Sequence, residues 1–259
     1  MNFFQMKKVL HSDYISLQNK FDFLLKNFKS SGELIGSEKR NVIKVFEIDG
    51  FNVNIKSFKK PNLINSFVYG YIRKSKAQRS FEYAQILLSK NIGTPQPFAF
   101  YENKSITGLK DSYYFSLQQD VDLMFRNLIF EPEYPNRDEI IKQSAEFFFK
   151  IHNQGIEFID NTAGNTLIKK VDENKYEFYL VDLNRMNFHD SLSLEQRVKN
   201  IAKLTTDSYI NKKFSEAYAP LFGVSETEFY NMLMEASQSF LDKFNRRKKL
   251  KKQLKFWKK

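Results

Sequence analysis

From Phe51 to Lys56 the chain alternates apolar and polar residues with period two. Phe51, Val53 and Ile55 fall on one side and Asn52, Asn54 and Lys56 on the other, which predicts a strand with one buried face. Asp49-Gly50 separates it from an apolar run at Val45–Ile48, a strong hairpin signal. Further along the period changes. Ser75–Leu88 places Ala77, Phe81, Ala84 and Leu88 on one helical face. Two more strands are expected at Pro97–Tyr101 and Ser112–Leu117, and a lead-in helix at Leu17–Phe28. Residues 120–240 read as largely helical, with helices at Asp138–Ile151, Ser193–Thr205 and Glu226–Phe244. A short β pair interrupts them, Thr166–Lys169 and Tyr176–Val181, turning at Asp172-Glu173-Asn174. Strands first and helices afterwards predict an α+β fold of two lobes. The expected division is 1–117 for a β-rich N-terminal lobe with its lead-in helix and 118–242 for a mainly helical C-terminal lobe. A basic amphipathic tail would occupy 243–259.

Composition narrows the classes. Apolar residues make up 42% of 259, so the chain can bury a core and is globular rather than disordered. There is no cysteine, which excludes a disulfide framework and thiolate chemistry. The three histidines, His11, His152 and His189, are too scattered for a metal cluster, and His152 reads as a cap or packing residue. No apolar run approaches the length of a membrane span and the N-terminus lacks a signal-peptide core, so the expected location is cytoplasmic. The net charge of +11 is concentrated. Ten basic side chains and no acidic one lie in 243–259, leaving a near-neutral body.

Candidate chemistry lies in the middle of the chain. Asp160 and Asn165 are five positions apart, and Asp182 follows the next apolar run. A kinase catalytic loop reads D-x-x-x-x-N, then a strand, then a metal-holding Asp. In that arrangement one carboxylate accepts the proton of the attacking hydroxyl, while the amide and the second carboxylate give hard oxygen ligands to Mg²⁺. Taken alone, Asp160-Asn161 reads equally well as a turn. Lys56, ending its strand, matches the phosphate-contacting lysine of the third kinase strand, although a solvated strand lysine is the plainer reading. Glu82, in the helix that follows, is placed as the acid that holds such a lysine. Gln118-Gln119-Asp120 would be the crossover between lobes. Lys, Glu, crossover, Asp, Asn and Asp occur in kinase order.

Three stretches resemble the lipopolysaccharide kinase family, the Kdo/WaaP group. They are Arg40–Phe46, Ile55-Lys56-Ser57-Phe58-Lys59-Lys60-Pro61-Asn62 with Phe67-Val68-Tyr69-Gly70, and Arg73–Ala84 followed by Gly93-Thr94-Pro95-Gln96-Pro97. The likeness spans about residues 36 to 190. It implies a protein-kinase-like fold and ATP-dependent phosphorylation of an inner-core sugar. By that match Lys56 would contact the nucleotide phosphates and Glu82 would orient it. Asp160 would be the base, and Asn165 and Asp182 would hold Mg²⁺. The general kinase pattern is not kept everywhere. Phe158-Ile159 stand for H-R, Leu183-Asn184 for F-G, and Asn54 sits where a small apolar residue usually lies under adenine. No G-x-G-x-x-G is present, so Ser37-Glu38-Lys39-Arg40 is the candidate phosphate-covering turn, and no A-P-E follows Asp182.

The resemblance also bears on partners. Phe240, Phe244, Leu250, Leu254 and Trp257 form a rough helical stripe among the basic residues of the tail, a pattern suited to an anionic bilayer surface. A lipid-linked sugar acceptor would be met there, on the inner face of the cytoplasmic membrane. The bland alternative is a solvated tail. Other functions stay open: a catalytically silent kinase-like binding protein, or a soluble small-molecule phosphotransferase. Nucleic-acid binding is disfavoured because no aromatic and basic residues interleave in the body.

Overall fold

The computed structural model describes residues 6–36 and 41–256, and divides into two units, Met1–Asp120 with Asp182–Arg185, and Val121–Val181 with Met186–Lys259. The Ser37–Arg40 turn and Trp257 lie outside the described residues, as does the side chain of Leu254.

The first unit is built on a six-stranded antiparallel sheet in the order β1-β5-β6-β4-β3-β2. Its elements run β1 (Lys7–Leu10), a 3₁₀ turn, α1 (Gln18–Lys26), β2 (Glu33–Ile35), β3 (Val42–Ile48) and β4 (Phe51–Ser57). There follow α2 (Leu63–Phe67), a π turn (Val68–Ile72), α3 (Lys76–Ser89), β5 (Pro97–Ser105) and β6 (Gly108–Leu117). The β3–β4 hairpin closes with Ile48 opposite Phe51, and Asp49 and Gly50 both have positive φ, as a two-residue turn that follows strand twist demands.

The alternation in β4 sorts its side chains as expected. Val53 and Ile55 join Phe21, Leu24 and Phe115 in the core beneath α1. Lys56 and Phe58 face the other way, and Phe58 packs with Ala77, Phe81 and Phe100 under α3. Each aromatic buried in this way contributes roughly 1.5–3 kcal/mol. In α3 the buried face runs through Leu87 rather than Leu88; both lie about one turn beyond Ala84, and the sheet takes the first. The short strands β1 and β2 carry no strong sequence signal, since edge strands need only half of the usual pattern.

The second unit contains β7 (Leu123–Met124), α4 (Asn127–Phe130), α5 (Arg137–Asn153), β8 (Ile156–Phe158), β9 (Thr166–Asp172) and β10 (Lys175–Leu180). It continues with β11 (Met186–Phe188), α6 (Leu194–Ile201), α7 (Ser208–Phe222) and α8 (Glu226–Phe256). Its strands form one sheet of order β10-β9-β7 and a second, β11-β8. Ile140, Ile141, Ala145, Phe148 and Ile151 are the buried stripe of α5. Phe148 meets Phe214 of α7, and Tyr218 stacks on Phe229 of α8 at 4.9 Å. As far as Phe256, the residues expected to form the tail continue α8. Phe229 and Leu233 anchor its start, whereas every residue from Asp242 to Lys251 is exposed.

Candidate active site

In the first unit, strand alternation turns Lys56 onto the α3 face, where it is only 9% exposed. A buried ammonium needs a counter-charge, because desolvation costs it several kcal/mol. Asp182 supplies one: Lys56 Nζ lies 2.6 Å from Asp182 Oδ1 and 5.3 Å from the centre of the Phe58 ring. Asp182 itself has φ of +60°, a left-handed conformation that costs a non-glycine residue about 1–2 kcal/mol. Two bonds hold it there. Asn184 Nδ2 donates to Asp182 Oδ1 at 2.6 Å, and the buried Arg79 donates through Nη1 to the Asn184 carbonyl at 2.7 Å. Burial, then the neighbouring Arg73, lowers the Arg79 pKa, and Tyr69 and Tyr83 oppose the shift.

Glu82 is placed differently from the role that the resemblance implies. Its carboxylate is held by Lys74 Nζ at 2.8 and 3.0 Å and by Gln78 Nε2 at 2.9 Å, while Lys56 turns to Asp182. Gln78 is one helical turn before Glu82 and Lys74 lies eight residues back, just ahead of α3, so both partners are local in the chain. At the other end of β4, Asn54 Nδ2 donates to Gln118 Oε1 at 2.6 Å, and Gln118 N donates to the Asn52 carbonyl at 2.9 Å. These bonds tie the Gln118–Asp120 crossover to the strand that carries Lys56.

The second unit holds Asp160 and Asn165 in one wound loop after β8. Thr162 N donates to the Asp160 carbonyl at 2.7 Å and Asn165 N to the Thr162 carbonyl at 2.8 Å. Asn165 Nδ2 donates to the Asp160 carbonyl at 2.8 Å, which fixes the amide so that Oδ1 is its acceptor end. Val181 N then donates to the Asn165 carbonyl at 3.0 Å, one residue before Asp182 in the chain. The turn reading of Asp160-Asn161 is therefore true of the backbone and compatible with the chemical one.

Behind the loop lies a buried polar network that sequence reasoning missed. Asn200 Nδ2 donates to the Phe158 carbonyl at 2.8 Å, and Asn161 Nδ2 donates to the Asn200 carbonyl at 3.1 Å. His152 bridges Asn200 Oδ1 at 3.2 Å and the Tyr218 hydroxyl at 2.7 Å. Burial pushes the His152 pKa down to about 4, so the ring is neutral near pH 7. Phe158 stands where kinases carry a scaffold histidine; here Asn200 and His152 hold that backbone from α6 and α5. Only Phe158 marked the departure in sequence, and nothing there pointed to Asn200. Arg79 and Asn184 were missed in the same way, although the Arg73–Arg79 run stood out.

Each unit carries an oxygen donor of the kind that magnesium takes, Asp182 in the first and Asn165 in the second. Mg²⁺ prefers oxygen and is commonly held by one or two side chains together with phosphates. Asp182 offers a carboxylate with 35% of its side chain exposed, and Asn165 an amide oxygen turned by its own Nδ2 bond.

No protein-family model matches the chain, and no curated protein does. Among solved structures it is similar to one described as WaaP in complex with acyl carrier protein. The identity is 16%, the TM-score 0.60, and the match covers 90% of this chain and 97% of that one. The shared feature is the fold: a β-rich N-terminal sheet followed by a helical C-terminal part, as in a kinase-like protein. WaaP gives its name to the group that the sequence resembles, so the two likenesses agree.

Proposed function

We infer that this protein is an ATP-dependent kinase that phosphorylates a sugar hydroxyl, heptose or Kdo, of the lipopolysaccharide inner core. The observation that carries the reading is Asp182. A carboxylate kept in a left-handed conformation, between Lys56 and an Asn184 that is itself pinned by Arg79, is backbone strain maintained at an acidic residue that, unlike Asp49, closes no hairpin. Such strain serves preorganised charge, and phosphoryl transfer relies on positioning and charge more than on covalent chemistry.

In this reading Lys56 would bind the nucleotide phosphates, and Asn165 and Asp182 would hold Mg²⁺, which would neutralise charge there. Asp160 accepts the proton of the acceptor hydroxyl as its oxygen attacks the γ-phosphorus; the bond to the β–γ bridging oxygen breaks and ADP leaves. The fold likeness and the motifs around Lys56 and Arg79 support the lipopolysaccharide acceptor. Asp160→Asn should lower turnover by about 10²-fold or more while sparing ATP binding. Phosphate transfer by the purified Asn variant at close to the parent rate would refute the assignment.

One observation favours a catalytically silent, kinase-like binding protein: Glu82 is engaged by Lys74 rather than by Lys56. Thermal shift separates the two, since a ligand bound only by the folded state stabilises it. ATP with Mg²⁺ should raise the parent's melting temperature. Asp182→Ala should abolish the magnesium-dependent part, and Lys56→Ala should weaken the nucleotide effect. No shift in the parent selects the silent reading.

The acceptor would be met at the inner face of the cytoplasmic membrane. Among the described residues no helix is long and apolar enough to cross a membrane. The exposed end of α8 instead carries Lys243, Arg246, Arg247, Lys248, Lys249 and Lys251 beside the exposed Phe244 and Leu250. Near an anionic surface each such charge contributes about 1 kcal/mol. Deleting 243–259 should release the protein from anionic vesicles at low salt and spare activity on a deacylated acceptor. Vesicle binding by the truncated chain equal to the parent's would exclude the tail, and capture of acyl carrier protein in place of vesicles would give it a protein partner.

A further inference from the structure

Within the first unit, lined in part by Phe58, whose ring centre is 5.3 Å from Lys56 Nζ, is a cavity of about 420 Å³ with a basic rim. Lys59 and Lys60 enter it from the turn after β4, Asn65 from α2, Tyr69 from the π turn and Lys76 from the start of α3. The buried Phe58, Leu109 and Ser112 line it as well. Among the described residues no carboxylate lines it, and neither Lys59 nor Lys76 is ion-paired. Lys60 is near enough to Asp111 to act on that carboxyl, whose pKa burial raises overall.

This convergence is made by the fold, not by a run of lysines. Pro61 disfavours helix at Lys60, so the chain leaves β4 extended. Asn62 then caps α2, its Oδ1 accepting from Asn65 N at 2.9 Å. Ser75 caps α3 through Gln78 N at 3.1 Å, which makes Lys76 the first residue of a fourteen-residue helix whose N-terminal end is itself positive. The wall from α2 to the π turn sits directly on the β5–β6 hairpin. A Cβ on Gly70 would come 2.6 Å from Gly108 Cα, and one on Gly108 would come 2.2 Å from the Ser66 carbonyl oxygen. Ser66 Oγ donates to the Leu109 carbonyl at 2.7 Å. The wall of the cavity is thus preformed, and three lysines line it.

We propose that this cavity binds an oxyanion, phosphate or carboxylate, carried on the acceptor sugar. Its volume lies in the range of small-molecule sites and exceeds what a bare phosphate fills. The rings of Phe58 and Tyr69 offer apolar faces to a sugar, and Asn65 and Ser112 offer hydrogen bonds. Direction along β4 separates it from the nucleotide, and this step rests on the kinase reading. The crossover end of the strand is at Asn52 and Asn54, Lys56 follows, and Lys59 lies roughly 10 Å further at about 3.3 Å per residue. Base, phosphates and acceptor would follow one another in that order. Phe58 joins the two regions, since it lines the cavity and carries the Lys56 ammonium on its ring.

The experiment uses the full chain with glucose 6-phosphate as probe and glucose as the uncharged control. Binding is read by calorimetry, and the site by lysine acetylation followed by mass spectrometry. Glucose 6-phosphate should bind at least about 10-fold more tightly than glucose, because hydrogen bonds to an ionised partner are stronger than those between neutral groups. It should protect Lys59, Lys60 and Lys76 from acetylation and leave the lysines of α8 reactive. The triple variant Lys59→Gln, Lys60→Gln, Lys76→Gln should lose that preference yet keep the parent's thermal response to ATP with Mg²⁺, which also reports that it folds. Undiminished binding by the triple variant, or protection of Lys56 alone, overturns the proposal. Sugar-phosphate binding without any ATP response in the parent would sustain the oxyanion site and refute the kinase reading. An ATP response without sugar-phosphate binding would do the reverse.

Discussion

Asn200→Ala tests whether the loop bearing Asp160 is held from behind. Asn200 is 1% exposed, and its side chain donates to the Phe158 carbonyl at 2.8 Å and accepts from His152 at 3.2 Å. Truncation strands one buried polar group, His152 Nε2, and takes one of two donors from the Phe158 carbonyl, which still accepts from Asn161 N at 3.2 Å. Asn161 keeps its bond to the Asn200 backbone carbonyl at 3.1 Å. A buried group left unsatisfied costs about 1–3 kcal/mol and a lost hydrogen bond about 1 kcal/mol, so the variant should lose about 3 kcal/mol. At about 2–4 °C per kcal/mol for a chain of this size, the melting temperature should fall by roughly 10 °C. Calorimetric melts at pH 7.5 measure this directly. Because both residues share one network, His152→Ala combined with Asn200→Ala should cost at least about 1 kcal/mol less than the sum of the single variants. A drop below about 3 °C, or strict additivity, would show that the network does not hold the loop.

Acid should destabilise the protein through the same histidine. Its pKa is about 4 when folded and 6.5 for an ordinary exposed imidazole, so the unfolded chain binds the extra proton between those limits. Stability is full above about pH 6.5 and falls by about 3 kcal/mol as pH drops toward 4. Urea midpoints at pH 7.5 and 4.5 measure it, and a His152→Gln chain with the same pH slope would refute the cause. Gly155→Ala should cost more than about 2 kcal/mol, since φ is +71° and a Cβ would lie 1.9 Å from the His189 carbonyl oxygen. Gly164→Ala, with open space around its Cβ and within the Asp160–Asn165 loop, should stay within about 0.5 kcal/mol of the parent. Equal melting temperatures for the two alanine variants would refute the steric argument.

The chain's local patterns determined the elements and which face of each is buried. Val53 and Ile55 alternate with Asn54 and Lys56 because a strand turns successive side chains to opposite faces, and Asp49-Gly50 suits the positive φ of a tight hairpin. Both follow from neighbours a few bonds apart. The spacing of Asp160 and Asn165 was legible for the same reason, since one wound loop joins them. The partners of these groups were not. Lys56 finds Asp182 across 126 positions and Arg79 finds the Asn184 carbonyl across 105, contacts that exist only once a sheet and a helix have packed. Glu82 shows the difference. Its helix was read correctly, but the choice between Lys56 and Lys74 depended on where Asp182 came to lie. The network of His152, Asn161 and Asn200 is likewise tertiary, drawn from α5, the loop and α6. Periodicity reports only whether a position is buried; a polar residue's partner is set by the other chain segments that bury it.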